Sequence, residues 1–208
     1  MASPIPNFRE FIWTRDLKGY RLWDSGKRVV ASGVKQESYK PFERHENLFG
    51  QFASIPKTPE GVLDFVTKFG PLTRDGLKAR GEDVAAVLEA AKSMAGLLQA
   101  TEGRQSPSQL SSRRRSIHLT LQSANPASGH LLTIVPDTLL DGMWLQLAVA
   151  LSGDAQLLRC IQCGAWFAAG ASFGRRRETK FCSDEHRILY NSLKRSRRFA
   201  ARSANERG

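Results

Sequence analysis

The chain has 208 residues, 41% of them hydrophobic and 25% charged, a composition typical of a globular protein with one substantial core and room for a small appended module. No stretch contains the roughly 20 uncharged apolar residues of a membrane span. The first residues lack the basic region, apolar core and small-residue cleavage site of a secretion signal. We therefore expect a cytoplasmic protein without a membrane partner. The net charge of +11 is concentrated in residues 159–208, which contain 12 Lys/Arg and 4 Asp/Glu and point to a polyanionic partner.

The first 52 residues combine short β-compatible pieces with glycine and proline breaks. Tyr20–Trp23 and Arg28–Ala31 contain the aromatic and β-branched residues that favour strands. We therefore predict an irregular β-rich region through about Phe52.

Three later segments have helical patterns. Thr58 and Pro59 are typical of an N-cap and a first helical position, apolar residues follow at helical spacing, and Gly70-Pro71 ends the helix. The same spacing predicts a second helix from about Glu82 to Gln99 and a third from Pro136 to Ser152. The apolar stripes of these helices are typical of a buried core.

A polar stretch and a predicted β-hairpin separate the second and third helices. Residues 102–116 form a polar loop whose Arg113-Arg114-Arg115 triplet either contacts phosphate or is simply solvated. Ile117–Leu121 and Leu131–Val135 are predicted strands joined by a turn. Together these elements predict a mixed α+β domain over residues 1–155, suited to sensing a small molecule or protein partner that the sequence does not identify.

The densest chemical signal lies near the C-terminus, where all three cysteines and one of the four histidines have the spacing C-x2-C-x18-C-x3-H. A C-x2-C turn offers Cys160 and Cys163 to one ion, and residues four apart at the start of a helix offer Cys182 and His186 from one face. This layout of a knuckle followed by a helix resembles a treble-clef finger. It predicts one structural Zn2+ per chain, bound tetrahedrally by these four residues.

Other interpretations of the cysteines fit less well. A disulfide leaves one of three cysteines over, and a C-x2-C redox pair normally starts a helix, whereas Ala165-Trp166-Phe167 is typical of a strand. A catalytic zinc usually keeps an open position, and the segment between Cys163 and Cys182 has no histidine to activate water. No phosphate loop, serine elbow, dinucleotide fingerprint or zincin motif is present. We predict no enzyme activity and no catalytic residue, while a site assembled from distant parts of residues 1–155 stays open.

Basic residues surround the predicted ligands. In the loop before Cys182 they are Arg175, Arg176, Arg177 and Lys180, and on the following helix they are Arg187, Lys194, Arg195 and Arg198. With Asn191 and Arg202, the helical ones recur every three or four residues and form one polar, mostly cationic stripe. Leu189, Tyr190 and Leu193 form an opposite face that we expect to pack against the rest of the protein. A rigid cationic helix beside an arginine-rich loop suits a nucleic-acid backbone, although a charge run is often only a solvated face.

These features together resemble a known family. A helical domain, a Cys-x2-Cys knuckle, an arginine-rich loop and the entry Phe181-Cys182-Ser183 to a basic helix are similar to bacterial proteins with a CGNR-type zinc finger after an ABATE domain. The likeness is specific over residues 160–198, and Thr58–Leu72 also resembles a segment of such proteins. The resemblance implies a bacterial DNA-binding regulator of transcription or stress. Where the family has Cys-Gly-Asn-Arg, this chain has His186-Arg187-Ile188-Leu189, so histidine replaces cysteine as ligand.

The sequence thus predicts an N-terminal α+β domain over residues 1–155 and a small treble-clef-like zinc finger with a basic C-terminal helix over residues 156–208. We expect the finger to bind nucleic acid, DNA rather than RNA, within a transcriptional regulator. An RNA-binding or protein-docking module of a toxin–antitoxin or stress system is the alternative. A metal-dependent nuclease is the least favoured function.

Overall fold

The computed structural model describes residues 11–78, 80–102, 119–124, 131–152, 155–170, 173 and 175–205, with only the backbone described for residues 44, 102, 119–124, 131–134 and 197–205. The strands in these ranges are β1 (Trp13–Asp16), β2 (Tyr20–Trp23), β3 (Arg28–Ala31), β4 (Gln36–Tyr39), β5 (Glu82–Asp83), β6 (Leu119–Ala124), β7 (Leu131–Pro136), β8 (Gln156–Arg159) and β9 (Trp166–Ala169). The helices are α1 (Pro41–Arg44), α2 (Leu48–Ala53), α3 (Pro59–Phe69), α4 (Val84–Glu102), α5 (Leu139–Ser152) and α6 (Asp184–Asn205). This mixture confirms the predicted α+β class.

The described strands form four small antiparallel sheets. β1 pairs with β4, β6 with β7 and β8 with β9, while β3 lies between β2 and β5. β2 and β3 have the bounds that the sequence predicts. The Arg113–Arg115 cluster and the predicted strand start at Ile117 lie outside the described residues.

The opening region is less purely β-rich than predicted, because it ends in helices α1 and α2. Pro41 occupies the first turn of α1, where its missing N–H costs nothing. Leu48, Phe49 and Phe52 of α2 are fully buried, so tertiary packing rather than a strong local signal fixes this helix. Among the helices described, none combines the length and apolar character needed to cross a membrane.

Helices α3, α4 and α5 follow the predicted segments, with two shifted starts. In α3, Thr58 Oγ1 accepts a hydrogen bond from the Gly61 N–H at 3.2 Å, as expected for an N-cap. The predicted start of α4 at Glu82 is wrong, because residues 82–83 pair with β3 and Asp83 Oδ1 caps the helix at Ala86 N–H. α5 starts at Leu139 rather than Pro136, because β7 continues through Pro136 and Thr138 caps the helix.

The core lies where α2, α3, α4 and α5 meet. Its fully buried side chains are large and apolar, and they include Phe49, Phe52, Val66, Phe69, Met94, Leu98, Leu139 and Met143. Close packing of such side chains is the main source of stability for a domain of this size.

Strand β9 also belongs to this core, although it lies beyond the predicted boundary at residue 155. Trp166 and Ala168 are buried in the same cluster as the helices. Gly50 of α2 touches the Trp166 backbone so closely that a Cβ at residue 50 would lie 1.7 Å from the Trp166 carbonyl oxygen. Asn47 Oδ1 accepts a hydrogen bond from the Ala168 N–H at 2.8 Å. The first half of the finger is therefore packed into the main body.

Candidate metal centre

The first two candidate ligands lie in the connection between β8 and β9. The Cys160 N–H donates to the Ala165 carbonyl at 2.9 Å, and the Gly164 N–H donates back to the Cys160 carbonyl at 2.8 Å. Gly164 has a φ of +72°, which only glycine adopts without strain, so this residue closes the turn. The predicted strand after Cys163 is confirmed as β9, and Cys160 and Cys163 occupy a knuckle at its entry.

The other two candidate ligands lie at the start of α6. Cys182 precedes the helix by two residues, and His186 is its third residue. Ser183 caps the helix, because its Oγ accepts a hydrogen bond from the His186 N–H at 3.2 Å. The Ile161 N–H donates to the Lys180 carbonyl at 3.1 Å, which ties the knuckle to the segment before Cys182. The predicted knuckle-and-helix layout is confirmed.

The four side chains converge on one point. Their donor atoms all lie within 4.8 Å of one another. Cys163 Sγ is 3.7 Å from Cys182 Sγ, and Cys160 Sγ is 3.8 Å from His186 Nδ1. Around a tetrahedral ion with bonds of about 2.0–2.3 Å, neighbouring donors are about 3.3–3.8 Å apart. The 2.9 Å separation of Cys182 Sγ and His186 Nδ1 is shorter, since these two atoms are in hydrogen-bond contact.

The protonation of the three thiols also favours a cation. Burial opposes ionisation of Cys160, but the backbone N–H groups of Cys182, Cys163 and Gln162 outweigh it and lower the pKa of Cys160 to about 7. Burial raises the pKa of Cys163, and burial together with the charges of Cys163 and Cys160 raises the pKa of Cys182 to about 12. Without a cation, three adjacent thiols do not all ionise near neutral pH. A bound metal ion would supply the compensating charge and convert them to thiolates.

Apolar packing supports the centre from one side. Cys160 is buried with Phe167 and Ala169, and Phe181 packs against the same cluster. The Phe181 ring also lies 5.3 Å from that of Tyr190, one turn beyond His186. Cys163 is exposed, so the candidate site has one dry side and one side open to solvent.

The basic residues predicted to contact nucleic acid differ in their availability. Arg176, Arg177, Lys180, Lys194 and Arg195 are exposed. Arg187 is exposed but paired, with its Nε 3.1 Å from Asp184 Oδ1. Arg175 is half-buried and its backbone bridges Gly170, while Arg198 lies on α6 with only its backbone described. The structure thus brings most of these cations to the surface around the finger.

The predicted packing of the opposite face of α6 is wrong in part. Leu189 and Leu193 are 47% and 44% exposed, and only Tyr190 finds an aromatic partner in the described chain. The physical reason is that β9 supplies Trp166 and Ala168 to the core cluster, whereas no described side chain of α6 belongs to it. This apolar face of α6 is therefore open to solvent.

A cleft of about 790 Å3 adjoins the candidate metal centre. Cys163, Cys182 and His186 line one side of it. Carboxylates also line it, namely those of Glu43, Glu46, Asp64, Asp184 and Glu185. Two cations, Lys68 and Arg175, line the cleft as well, so carboxylates outnumber cations there by five to two, whereas Lys180, Lys194 and Arg195 lie outside it. Since like charges repel, a polyanion would meet the finger on the surface of these lysines and this arginine rather than in the cleft.

Two residues that hold β9 and α2 in place are not indicated by the sequence. Asn47 holds β9 against α2, and Gln146 accepts from the Phe49 N–H and donates to the His45 carbonyl. Their partners lie about a hundred residues away in the chain, so no local pattern indicates them. Ser183 could have been found, since a serine before an acidic first turn is a typical N-cap.

Comparison with known proteins adds no family to this description. No family model matches the sequence, and neither a curated protein nor a solved structure matches the chain. The features that indicate a function are therefore those of the centre itself, a four-residue group able to hold one metal ion at the start of a basic helix.

Proposed function

We propose that the protein is a zinc-dependent nucleic-acid-binding protein, and more specifically a DNA-binding transcriptional regulator without enzyme activity. The observation that supports this best is that Lys194 and Arg195 are exposed on α6, the helix whose first turn supplies His186 to the four-residue centre. The proposed ion is one structural Zn2+, because three thiolates and an imidazole suit zinc and fill its four positions. A cytoplasmic location agrees with three free cysteines, which reducing conditions maintain.

The binding surface consists of the exposed cations of α6 and of the loop before it. Lys194 and Arg195 lie two to three turns beyond His186 on one continuous helix. Because the ligands and the Phe181–Tyr190 contact fix the start of this helix, the cations keep a defined position. Phosphates that they neutralise release condensed counterions, and arginine can bind two phosphate oxygens at once. DNA is favoured over RNA by the resemblance to CGNR-type fingers, which stays a prediction from sequence.

A hydrolytic role is less favoured. A zinc ion that activates water keeps an open coordination position, whereas four ligands here would fill the tetrahedron. Opening the site would require one thiolate or the imidazole to leave. We therefore assign the ion a structural role and propose no catalytic residue.

The test is duplex DNA binding by fluorescence anisotropy at several salt concentrations. The slope of log K against log salt is negative, and in the Lys194→Ala/Arg195→Ala variant it should become less negative by about 1.8 if each cation neutralises one phosphate. The matched control is Lys57→Ala/Lys92→Ala, which removes the same charge from exposed positions outside the finger. If the two double variants had equal slopes of log K against log salt, the cations of α6 would not contact the DNA phosphates. A parallel titration with duplex RNA separates the DNA and RNA alternatives.

Protein docking is a second candidate, and the exposed Leu189 and Leu193 favour it. An apolar helix face open to solvent is typical of a surface that a partner covers. Replacing both leucines by serine should leave DNA affinity unchanged if α6 binds DNA only through its cations. A loss of DNA binding without a change in melting temperature would instead indicate that this face takes part, directly or through a partner copy.

A further inference from the structure

The hairpin formed by β2 and β3 exposes an aromatic ring at its outer face. Trp23 is 56% exposed, whereas Trp13, Trp144 and Trp166 are at most 8% exposed. These are the four tryptophans of the chain, and all lie in described residues. A single exposed apolar side chain is common on protein surfaces, so the setting of the ring decides what it means.

Trp23 is held on a rigid element. Tyr20 and Leu22 pack against the core from the opposite face of β2, and Val29 of β3 is buried. Because strand side chains alternate, this packing directs Arg21 and Trp23 outward. The turn after Trp23 is closed by a 3.1 Å hydrogen bond from the Lys27 N–H to the Asp24 carbonyl, and a Cβ on Gly26 would lie 3.6 Å from Pro59.

The charge around the ring is positive. Arg21 shares the outer face of β2, and Lys27 is exposed in the turn. Of the neighbouring acids, Asp83 is held by Arg28 at 3.7 Å across the β3–β5 pair, and Asp24 is exposed in the turn. Arg28 is further fixed by hydrogen bonds to the Arg80 and Gly81 carbonyls. Arg21, two residues before the ring on the same face of β2, forms no ion pair with either acid in the described part of the chain.

An outward aromatic ring next to an arginine on a rigid sheet face is the arrangement that binds single strands. Every nucleobase has a flat face that stacks on an aromatic side chain, and a nearby cation contacts the adjoining phosphate. A folded protein partner would instead call for a broader apolar surface. On this face of β2 the neighbours of the ring are charged.

We propose that Trp23 stacks on an unpaired base of a DNA strand and that Arg21 contacts the adjoining phosphate. This inference rests on the proposed function. It deepens that function by naming the state of the DNA, which is a strand with unpaired bases. The hairpin then forms a second contact, separate from the cations of α6.

The test uses tryptophan fluorescence of the full-length zinc-loaded protein with a short oligothymidylate. Because the other three tryptophans are buried, stacking should quench the emission of Trp23 selectively. Trp23→Phe should abolish the quenching but keep most of the affinity, since phenylalanine still stacks. Trp23→Ala should weaken binding about 5- to 150-fold, which corresponds to about 1–3 kcal/mol per stacked base. Val34→Ala, at a 99% exposed residue of the same region, is the control and should change nothing.

The outcomes separate this inference from the proposed function. The stacking contact would be overturned if the emission stayed unquenched on binding. It would also be overturned if wild type and Trp23→Ala bound oligothymidylate equally well at equal melting temperature. In either case, a loss of duplex binding in Lys194→Ala/Arg195→Ala would still support the role of the finger. Quenching that depends on Trp23 without any effect of the α6 variant would support the contact and overturn the finger's role. Absence of binding to both single-stranded and duplex DNA would overturn both.

Discussion

Replacing Gly50 by alanine tests whether the finger is built into the main core. A Cβ at this position would lie 1.7 Å from the Trp166 carbonyl oxygen and 2.5 Å from its carbonyl carbon. Ordinary contact needs about 3.5 Å, so α2 and β9 must separate by roughly 1.5–2 Å. Both neighbouring atoms belong to the backbone, and no side-chain rotation can relieve the overlap.

The expected cost combines three effects. Overpacking a core costs about 1–3 kcal/mol. Separating α2 from β9 would also strain the 2.8 Å hydrogen bond between Asn47 and the Ala168 N–H, and leaving these buried groups unpaired costs about 1–3 kcal/mol. Alanine is favoured over glycine in a helix by about 1 kcal/mol, which offsets only part of this loss. We expect a net destabilisation of about 3 kcal/mol, or a melting temperature lower by about 6–12 °C for a chain of this size.

The assay is thermal melting of the zinc-loaded protein together with its zinc content. Because Cys160 and Cys163 lead directly into β9, Gly50→Ala should also make zinc easier to remove with a chelator. The comparison is Gly164→Ala, where a Cβ meets no atom within 4 Å and only the positive φ is strained, at a cost of about 1–2 kcal/mol. A Gly50→Ala variant that melts within about 2 °C of the wild type would refute the close packing of α2 against β9.

Two further predictions concern the metal centre and a buried carboxylate. For the proposed zinc site, Cys182→Ala should lower the zinc content from one ion per chain to near zero. It should also lower the melting temperature of the whole chain, because β9 belongs to the main core. An unchanged main transition would show that the core does not depend on the metal. Burial raises the pKa of Glu82 above its usual value, against the opposing hydrogen bonds from Thr73 and Leu72. The folded state therefore binds this proton more tightly, and the unfolding free energy of the wild type should fall as pH rises above about 4.5 relative to that of Glu82→Gln. Parallel denaturation curves of both proteins at each pH measure this difference, and superimposable pH profiles would contradict it.

Local signals in the sequence predict the parts of the fold that depend on neighbouring residues. Thr58 and Pro59 specify the start of α3, and the spacing of Cys160, Cys163, Cys182 and His186 specifies the candidate centre. In each case the interacting groups are either a few residues apart or chemically distinctive. Such features can be identified without knowledge of the tertiary structure.

Features that depend on distant residues could not be predicted. Helix α2 forms because Phe49 and Phe52 are buried against later helices, and α4 starts after Glu82 because that carboxylate accepts hydrogen bonds from Leu72 and Thr73. The exposure of Leu189 has the same origin, since whether an apolar helix face is covered depends on which surfaces remain open. Amphipathic spacing indicates a face but not its partner.

The length of α6 has a consequence for how much DNA one chain would cover in the proposed complex. Its 22 residues correspond to about 33 Å at about 1.5 Å per residue. One turn of B-form DNA measures about 34 Å. A helix anchored at its first turn would therefore reach backbone on both sides of one groove from a single protomer. Fingers with short helices contact about three base pairs each and need tandem copies to cover the same distance.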